Sequence, residues 1–229
     1  MLMRKYKWIT LLFILGFIIL IYPHFSQYVN NQLYQKEVNE FKSSAQHIPE
    51  QTVTDTIATA KECNDAIYKS EEGLHDPFTF EYDRNQFESC QDSPLDGENI
   101  AALEIPKLNL AIPIYLGATE NELSKGIGQV EGSSLPIGGE NTHTVLAGHR
   151  GMGTRAMFRD LDELQVGDHF IIYTLEETLE YVVYDTQVVL PHETDSLQIT
   201  AGKDLASLIT CHPYRHNSHR LVVYGESLK

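Results

Sequence analysis

The sequence predicts a mainly β fold, a barrel or sandwich, preceded by helices and an apolar N-terminal segment. Three observations carry this. From Ile100 onward, short apolar and β-branched runs alternate with turns marked by Gly and Pro. The two longer helical patterns lie in the chain before about Glu72. A run without charge, Trp8 to Tyr22, lies next to the N-terminus. With 229 residues, 42% of them hydrophobic, the chain suits one domain with a core plus appendages.

Arg4, Lys5 and Lys7 precede the apolar run, and Pro23 is expected to end it. The run is shorter than the roughly 20 residues of an ideal span, although Tyr6 and flanking aromatics extend it. A cleaved signal peptide is the competing reading. No small-x-small site follows in Pro23, His24, Phe25, Ser26 and Gln27, so an uncleaved anchor is favoured. Its basic flank places residues 1–23 as a cytoplasmic stub and transmembrane anchor, with the remainder outside the cell.

Residues 24–73 are expected to form a helical stalk. Phe25, Tyr28, Leu33, Val38 and Phe41 recur at loosely helical spacing, and Ile48-Pro49-Glu50 breaks the pattern. Thr54 or Asp55 caps a second helix running to about Glu72, with Gly73 as its stop. Residues 74–99 are irregular and acidic. Residues 100–229 form the β domain. Ala101 to Ile105 and Ala111 to Leu116 are short strands with Pro106 and Pro113 near their ends, which disfavours ideal central strands. Ala156 to Leu164 can form one or two helical turns. Asp168 to Thr174 and Thr178 to Leu190 read as a hairpin with Glu176-Glu177 at its tip.

Seventeen basic residues face 32 acidic ones, a net charge of −15. Beyond the three basic residues of the N-terminal flank, 14 stand against all 32, a balance of −18. Nucleic-acid phosphates would be repelled by such a surface. It suits a solubilising surface outside the cell.

The chemistry concentrates between Ser207 and Glu226, SLITCHPYRHNSHRLVVYGE. Leu208 to Cys211 reads as a strand, Pro213, Tyr214 and Asn217 as a turn, and Arg220 to Tyr224 as a second strand. Antiparallel neighbours so joined bring Cys211 and Arg220 together. A thiol beside a guanidinium has an electrostatic reason to ionise. A cysteine nucleophile works with a histidine. The candidate is His149, in a strand ending at the Gly148 and Gly151 pair, 62 residues before Cys211.

Thr210-Cys211, Pro213-Tyr214, Asn217 and Arg220-Leu221, together with Ala147-Gly148-His149-Arg150, resemble the motifs of sortases, membrane-tethered cysteine transpeptidases of Gram-positive bacteria. The resemblance covers roughly Ile100 to Glu226 and implies an eight-stranded sortase-type β-barrel. It implies catalytic roles for Cys211 as thioester-forming nucleophile, His149 as acid and base, and Arg220 as oxyanion or substrate-backbone holder. No Asp or Asn partner for His149 is evident in the motif.

Upstream, Asp76-Pro77-Phe78 resembles the lid of class C sortases, the pilus-assembly group. The resemblance places Asp76 against Arg220 and Phe78 over Cys211. An exposed ion pair contributes only about 0.2–1 kcal/mol, whereas a fully buried ring supplies roughly 1.5–3 kcal/mol. On those magnitudes Phe78 is expected to be the stronger latch. The implied substrate is a Leu-Pro-x-Thr-Gly-like sorting signal of a pilin subunit, and the implied acceptor is a pilin lysine, giving an isopeptide bond. No cofactor is implied, and the partners are pilins and the membrane.

Other readings stay open. A cell-wall-anchoring sortase would share the core. A non-catalytic pilus-assembly partner of the same fold would lack thioester chemistry. Cys211, His212, His216 and His219 form a cluster of metal-ligand types, but neighbours on one strand point to opposite faces. Cys63 and Cys90 flank the tripeptide and could pair or stay free. Many class C members carry a second apolar segment at the C-terminus; this sequence stops at Lys229 and shows one anchor.

Overall fold

The computed structural model of the chain describes residues 2–70, 73–79, 99–153 and 155–229. Cys90, and most of the acidic stretch expected between residues 74 and 99, lie outside the described residues.

Helix α1 spans Leu2–Ala45 and α2 spans Glu50–Ser70. Pro23 does not end α1, which runs through it. A proline inside a helix removes one backbone hydrogen bond, here the one to the Ile19 carbonyl, and the turns on either side keep theirs. The segment from Tyr6 is long and apolar enough to cross a membrane, with mean hydropathy 2.1 in its best window. Past Pro23, Tyr34, Val38 and Phe41 share one face of α1 and are buried, whereas Phe25, Tyr28 and Leu33 are exposed. Helix α2 begins before Thr54 because Pro49 serves as its entry: the Pro49 carbonyl accepts the Val53 N–H at 3.1 Å. Ile57, Ala60, Cys63, Asn64 and Ile67 make its buried face. The expected stalk is therefore two helices with their inner faces applied to the β domain.

Among the described residues, eight strands close into a barrel: β1 (Ala101–Ile105), β2 (Leu110–Leu116), β3 (Ile127–Gln129), β4 (Thr142–Ala147), β5 (His169–Tyr173), β6 (Thr178–Val189), β7 (Asp204–His212) and β8 (His219–Ser227). Their order around the barrel is β1-β2-β3-β4-β7-β8-β6-β5, closed by the antiparallel β1–β5 pairing. The pairs β2–β3 and β4–β7 are parallel and the rest antiparallel. A closed barrel leaves no edge strand to template aggregation. A four-residue helix, α3 (Glu120–Leu123), links β2 to β3. Pro113 is accommodated because β3 pairs with β2 only from Ile114 onward, so its missing N–H falls outside that ladder. The hairpin expected around Glu176-Glu177 is β5–β6, with Tyr173 opposite Thr178. Only Leu161–Glu163 of the expected helical turns is regular, as a 3₁₀ turn.

The barrel interior is filled by Leu103, Ile105, Ile112, Ile114, Leu146, Phe158, Phe170 and Tyr181, all fully buried. Phe170 and Tyr181 stack with centroids 5.4 Å apart. Polar contacts lock the helices on. Asn64 accepts the Leu135 N–H at 2.7 Å and donates to the Leu135 carbonyl at 3.3 Å. Lys42 meets Glu104 at 3.1 Å and lies over the Tyr173 ring.

Gly148 marks the point where β4 leaves the barrel. A Cβ there would sit 2.5 Å from Ile127 Cδ1 and 2.8 Å from Phe158 Cδ2, inside contact distance. Gly148→Ala is therefore expected to lower unfolding free energy by about 1–3 kcal/mol through overpacking. Denaturant titration of the full chain in detergent checks it; an unchanged midpoint would show that Phe158 yields freely.

Candidate active site

The site is set by the parallel ladder of β4 and β7. Thr142 pairs with Asp204, and the register holds to Ala147 opposite Ile209. Gly148 extends it by donating its N–H to the Ile209 carbonyl at 3.1 Å. Continued for two residues, the same offset sets His149 beside Cys211. The 62-residue separation seen in the sequence is the offset of this ladder, as it is for Arg150 and His212. His149 and Cys211 both line one groove of about 460 Å³, together with Pro77, Phe78, Thr79, Thr119, Glu120, Leu123 and Asn217.

The β7–β8 hairpin supplies the third residue. Cys211 pairs directly with Arg220, so their side chains share a face of the sheet. Arg220 donates Nη1 hydrogens to the carbonyls of Asn217 at 2.9 Å and His219 at 2.8 Å. Its other edge is taken by Asp76. Nε donates to Oδ1 at 2.7 Å and Nη2 to Oδ2 at 2.6 Å, a bidentate pair. Pro77 and Phe78 follow into the groove. The Phe78 ring lies 5.2 Å from Arg220 Cζ and has its centroid 6.2 Å from that of His149. The aromatic thus sits between the imidazole and the guanidinium.

The energetic ordering expected from the sequence reverses. The Asp76–Arg220 side chains are 4% and 5% exposed, not a surface pair. Phe78 is only half-buried. Removing one partner of a buried pair costs about 3–5 kcal/mol, more than the roughly 1.5–3 kcal/mol of a ring taken fully out of water. Truncating Asp76 is therefore expected to cost more than truncating Phe78, because it leaves the Arg220 charge buried and unpaired.

The thiol also differs from expectation. Burial pushes the Cys211 pKa up, the Arg220 and Arg150 guanidinium groups pull it down, Asp76 pushes it up, and the net direction is up. Asp76 offsets the positive charge that the sequence offers to the thiol. Cys211 is a free, buried thiol held toward its neutral form while Asp76 is in place.

The candidate metal cluster does not converge: Cys211 lines the groove, whereas His212 turns away and its Nδ1 accepts from Arg150 Nη1. No group of three metal-ligating side chains comes together among the described residues. Cys63 is buried on α2 and disulfide-bonded, and Cys90, which the sequence left as either its partner or a free thiol, lies outside the described residues. The sequence reading missed Glu120, whose Oε2 lies 3.5 Å from His149 Nε2. It named Arg150 only within a motif and His212 only within a metal-ligand cluster, and missed the contact between them. The signal was present, since each directly follows a residue already singled out.

A sortase-domain family model matches residues 103–228. Sortase D of Bacillus subtilis is 29% identical over 178 residues, covering 76% of this chain and 85% of that protein. Sortase A of Bacillus anthracis is 32% identical over 127 residues, covering 56% and 59%. The crystal structure of Streptococcus pneumoniae Sortase C superposes with TM-score 0.76 at 35% identity, covering 85% of this chain and 97% of that one. Sortase C2 of Pilus Island 1 from Group B Streptococcus gives TM-score 0.72 at 39% identity, covering 80% and 100%.

The contacts of Asp76 and Phe78 predict an order of thiol exposure. Alkylation of Cys211 by iodoacetamide, read by mass spectrometry of the Cys211 peptide, should be fastest in Asp76→Ala, intermediate in Phe78→Ala and slowest in wild type. Asp76→Ala removes a carboxylate that raises the thiol pKa and admits water to a buried group, and both effects lower that pKa. Its rate–pH curve should therefore shift to lower pH. A faster Phe78→Ala would make the ring the stronger latch. Equal rates in all three would reduce the segment to an ordinary turn.

Proposed function

The chain belongs to the sortase family of transpeptidases, and from that premise we propose that it is a membrane-anchored pilin polymerase acting outside the cell. Cys211, as thiolate, attacks the carbonyl between Thr and Gly of a Leu-Pro-x-Thr-Gly-like sorting signal. The thioester forms as the C–N bond breaks, and His149 gives a proton to the leaving amine. An acceptor lysine of another pilin then loses a proton to His149 and attacks the thioester carbonyl. The isopeptide bond forms and Cys211 leaves as thiolate. Arg220 stabilises the tetrahedral oxyanion through Nε and Nη2, the two donors that Asp76 occupies in this structure.

The observation that carries this reading is that Asp76 takes the substrate-facing edge of Arg220 while Phe78 fills the groove between Arg220 and His149. Residues 76–78 then act as a lid that must leave before substrate enters. The Streptococcus pneumoniae Sortase C structure is described in terms of pilin substrate specificity, and the Group B Streptococcus proteins belong to a pilus island. These relatives support pilins as the substrate class. The similarity to Sortase A and Sortase D proteins shows a core shared beyond the Sortase C structures, and a second reading is a cell-wall-anchoring sortase.

Mass spectrometry of the product separates the two. A linkage between the sorting-signal Thr and a pilin lysine is expected; linkage to a peptidoglycan crossbridge amine, with none to lysine, favours the second reading. Cys211→Ala should give no acyl-enzyme and no polymer. His149→Ala should lose about 10²–10⁴ in rate and Arg220→Ala about 10²–10³, each with unchanged circular dichroism. A near-normal rate in either folded variant removes that residue from the mechanism.

A further inference from the structure

His149 and Cys211 are each followed by a residue that the proposed chemistry does not use. Past Ala147 and Ile209 the backbone pairing of β4 and β7 has ended, apart from the single bond from Gly148. Strand β7 stays laddered to β8 as far as His212, but past Ala147 the end of β4 has no ladder to keep it aligned with β7. Arg150 and His212 supply a side-chain link at this point, three residues past the last pair on each strand: Arg150 Nη1 bonds His212 Nδ1. The Arg150 Nη2 meets Asp162 Oδ2, on the 3₁₀ turn, at 2.7 Å. Arg150 is 7% exposed, so its guanidinium is held from both sides and not a solvated surface charge.

We propose that Arg150 and His212 are positioning residues that hold the open end of β4 in register with β7, so that His149 faces Cys211 across the groove. The link rests on the proposed function only for the roles of His149 and Cys211. Cys211 and His212 are consecutive on β7 and point to opposite faces, and His149 and Arg150 are consecutive just past the end of β4. Fixing Arg150 against His212 on one side therefore fixes His149 and Cys211 on the other. Buried networks fastened at several points hold side chains to the tolerance that acid–base transfer needs.

The link has a required protonation state. Arginine only donates, so His212 Nδ1 must accept, and the ring carries its proton on Nε2. The charged groups facing His212 are Arg150 from the β4 end, Asp162 from the 3₁₀ turn and His219 from β8. Burial and then Arg150 lower the His212 pKa, Asp162 opposes them, and His219 adds to the lowering. A depressed histidine pKa means that the neutral ring, and with it the link, is kept at neutral pH and lost as pH falls through the folded value.

Two substitutions test the link in the full chain in detergent micelles. His212→Asn keeps an acceptor near the Nδ1 position and cannot titrate; His212→Leu keeps bulk and accepts nothing. With a Leu-Pro-x-Thr-Gly reporter peptide, His212→Leu should lose about ten- to a hundredfold in kcat with KM within about twofold of wild type. His212→Asn should keep kcat within about threefold and lose the part of the acid-side decline that belongs to His212. Wild-type kcat in His212→Leu, or equal losses in both variants, overturns the proposal. A substrate-free measurement runs in parallel: the reaction of Cys211 with a dipyridyl disulfide across the same pH range. A pH inflection present in wild type and absent from both variants is expected; superimposable profiles overturn the link. Cys211→Ala is the control. Turnover in that variant defeats the proposed function, and the disulfide reaction then still decides the fate of the link.

Discussion

A parallel pair of strands cannot be joined by a short turn, because the chain must return to the same end of the sheet before it can pair again. Between β4 and β7 the return is used to build the 3₁₀ turn and the β5–β6 hairpin. The barrel closes through that crossover, since β5 pairs back onto β1 and β6 onto β8. Because both strands then run the same way, their C-terminal ends emerge together. Every feature of the groove follows from that emergence. His149 and Arg150 leave on one strand, Cys211 and His212 on its neighbour, and β8 returns Arg220 opposite Cys211.

Within this frame the electrostatics oppose one another. Arg220 favours the thiolate and burial opposes it, while Asp76 takes the side of burial. The segment that lines the groove therefore also holds the Cys211 thiol toward its neutral form. Its departure would expose the thiol to water, remove the carboxylate and free two guanidinium donors together. One carboxylate in one place produces all three effects.

Much of this was legible in the sequence, where local chemistry and tertiary consequence coincide. The antiparallel placement of Cys211 and Arg220 follows from strand, turn and strand over a short span. Asp76 is 144 residues from Arg220, and only the likeness to known lids connected them. Burial was not legible. Nothing local to Asp-Pro-Phe shows that the pair is enclosed and the ring half-open, so the relative strength of the two contacts came out inverted. Pro23 misled because a proline reads as a stop, whereas a helix can lose one bond and continue. Glu120 was invisible because its nearness to His149 depends on β2 and β4 lying on either side of β3.

Helix α1 is continuous from its apolar half to the turns carrying Tyr34, Val38 and Phe41 against the barrel, with Pro23 inside it. A helix is stiff over this length and advances about 1.5 Å and 100° per residue. The dozen residues from Tyr22 to Tyr34 amount to a helical post of roughly 18 Å. Were a bilayer to hold the apolar half, the helix would set both the height of the groove and its compass bearing relative to the lipid surface. Catalytic access in that setting is a question of azimuth as much as of affinity. A single residue inserted into the post would leave the barrel intact and its chemistry unaltered, yet swing the mouth of the groove through more than a quarter of a turn.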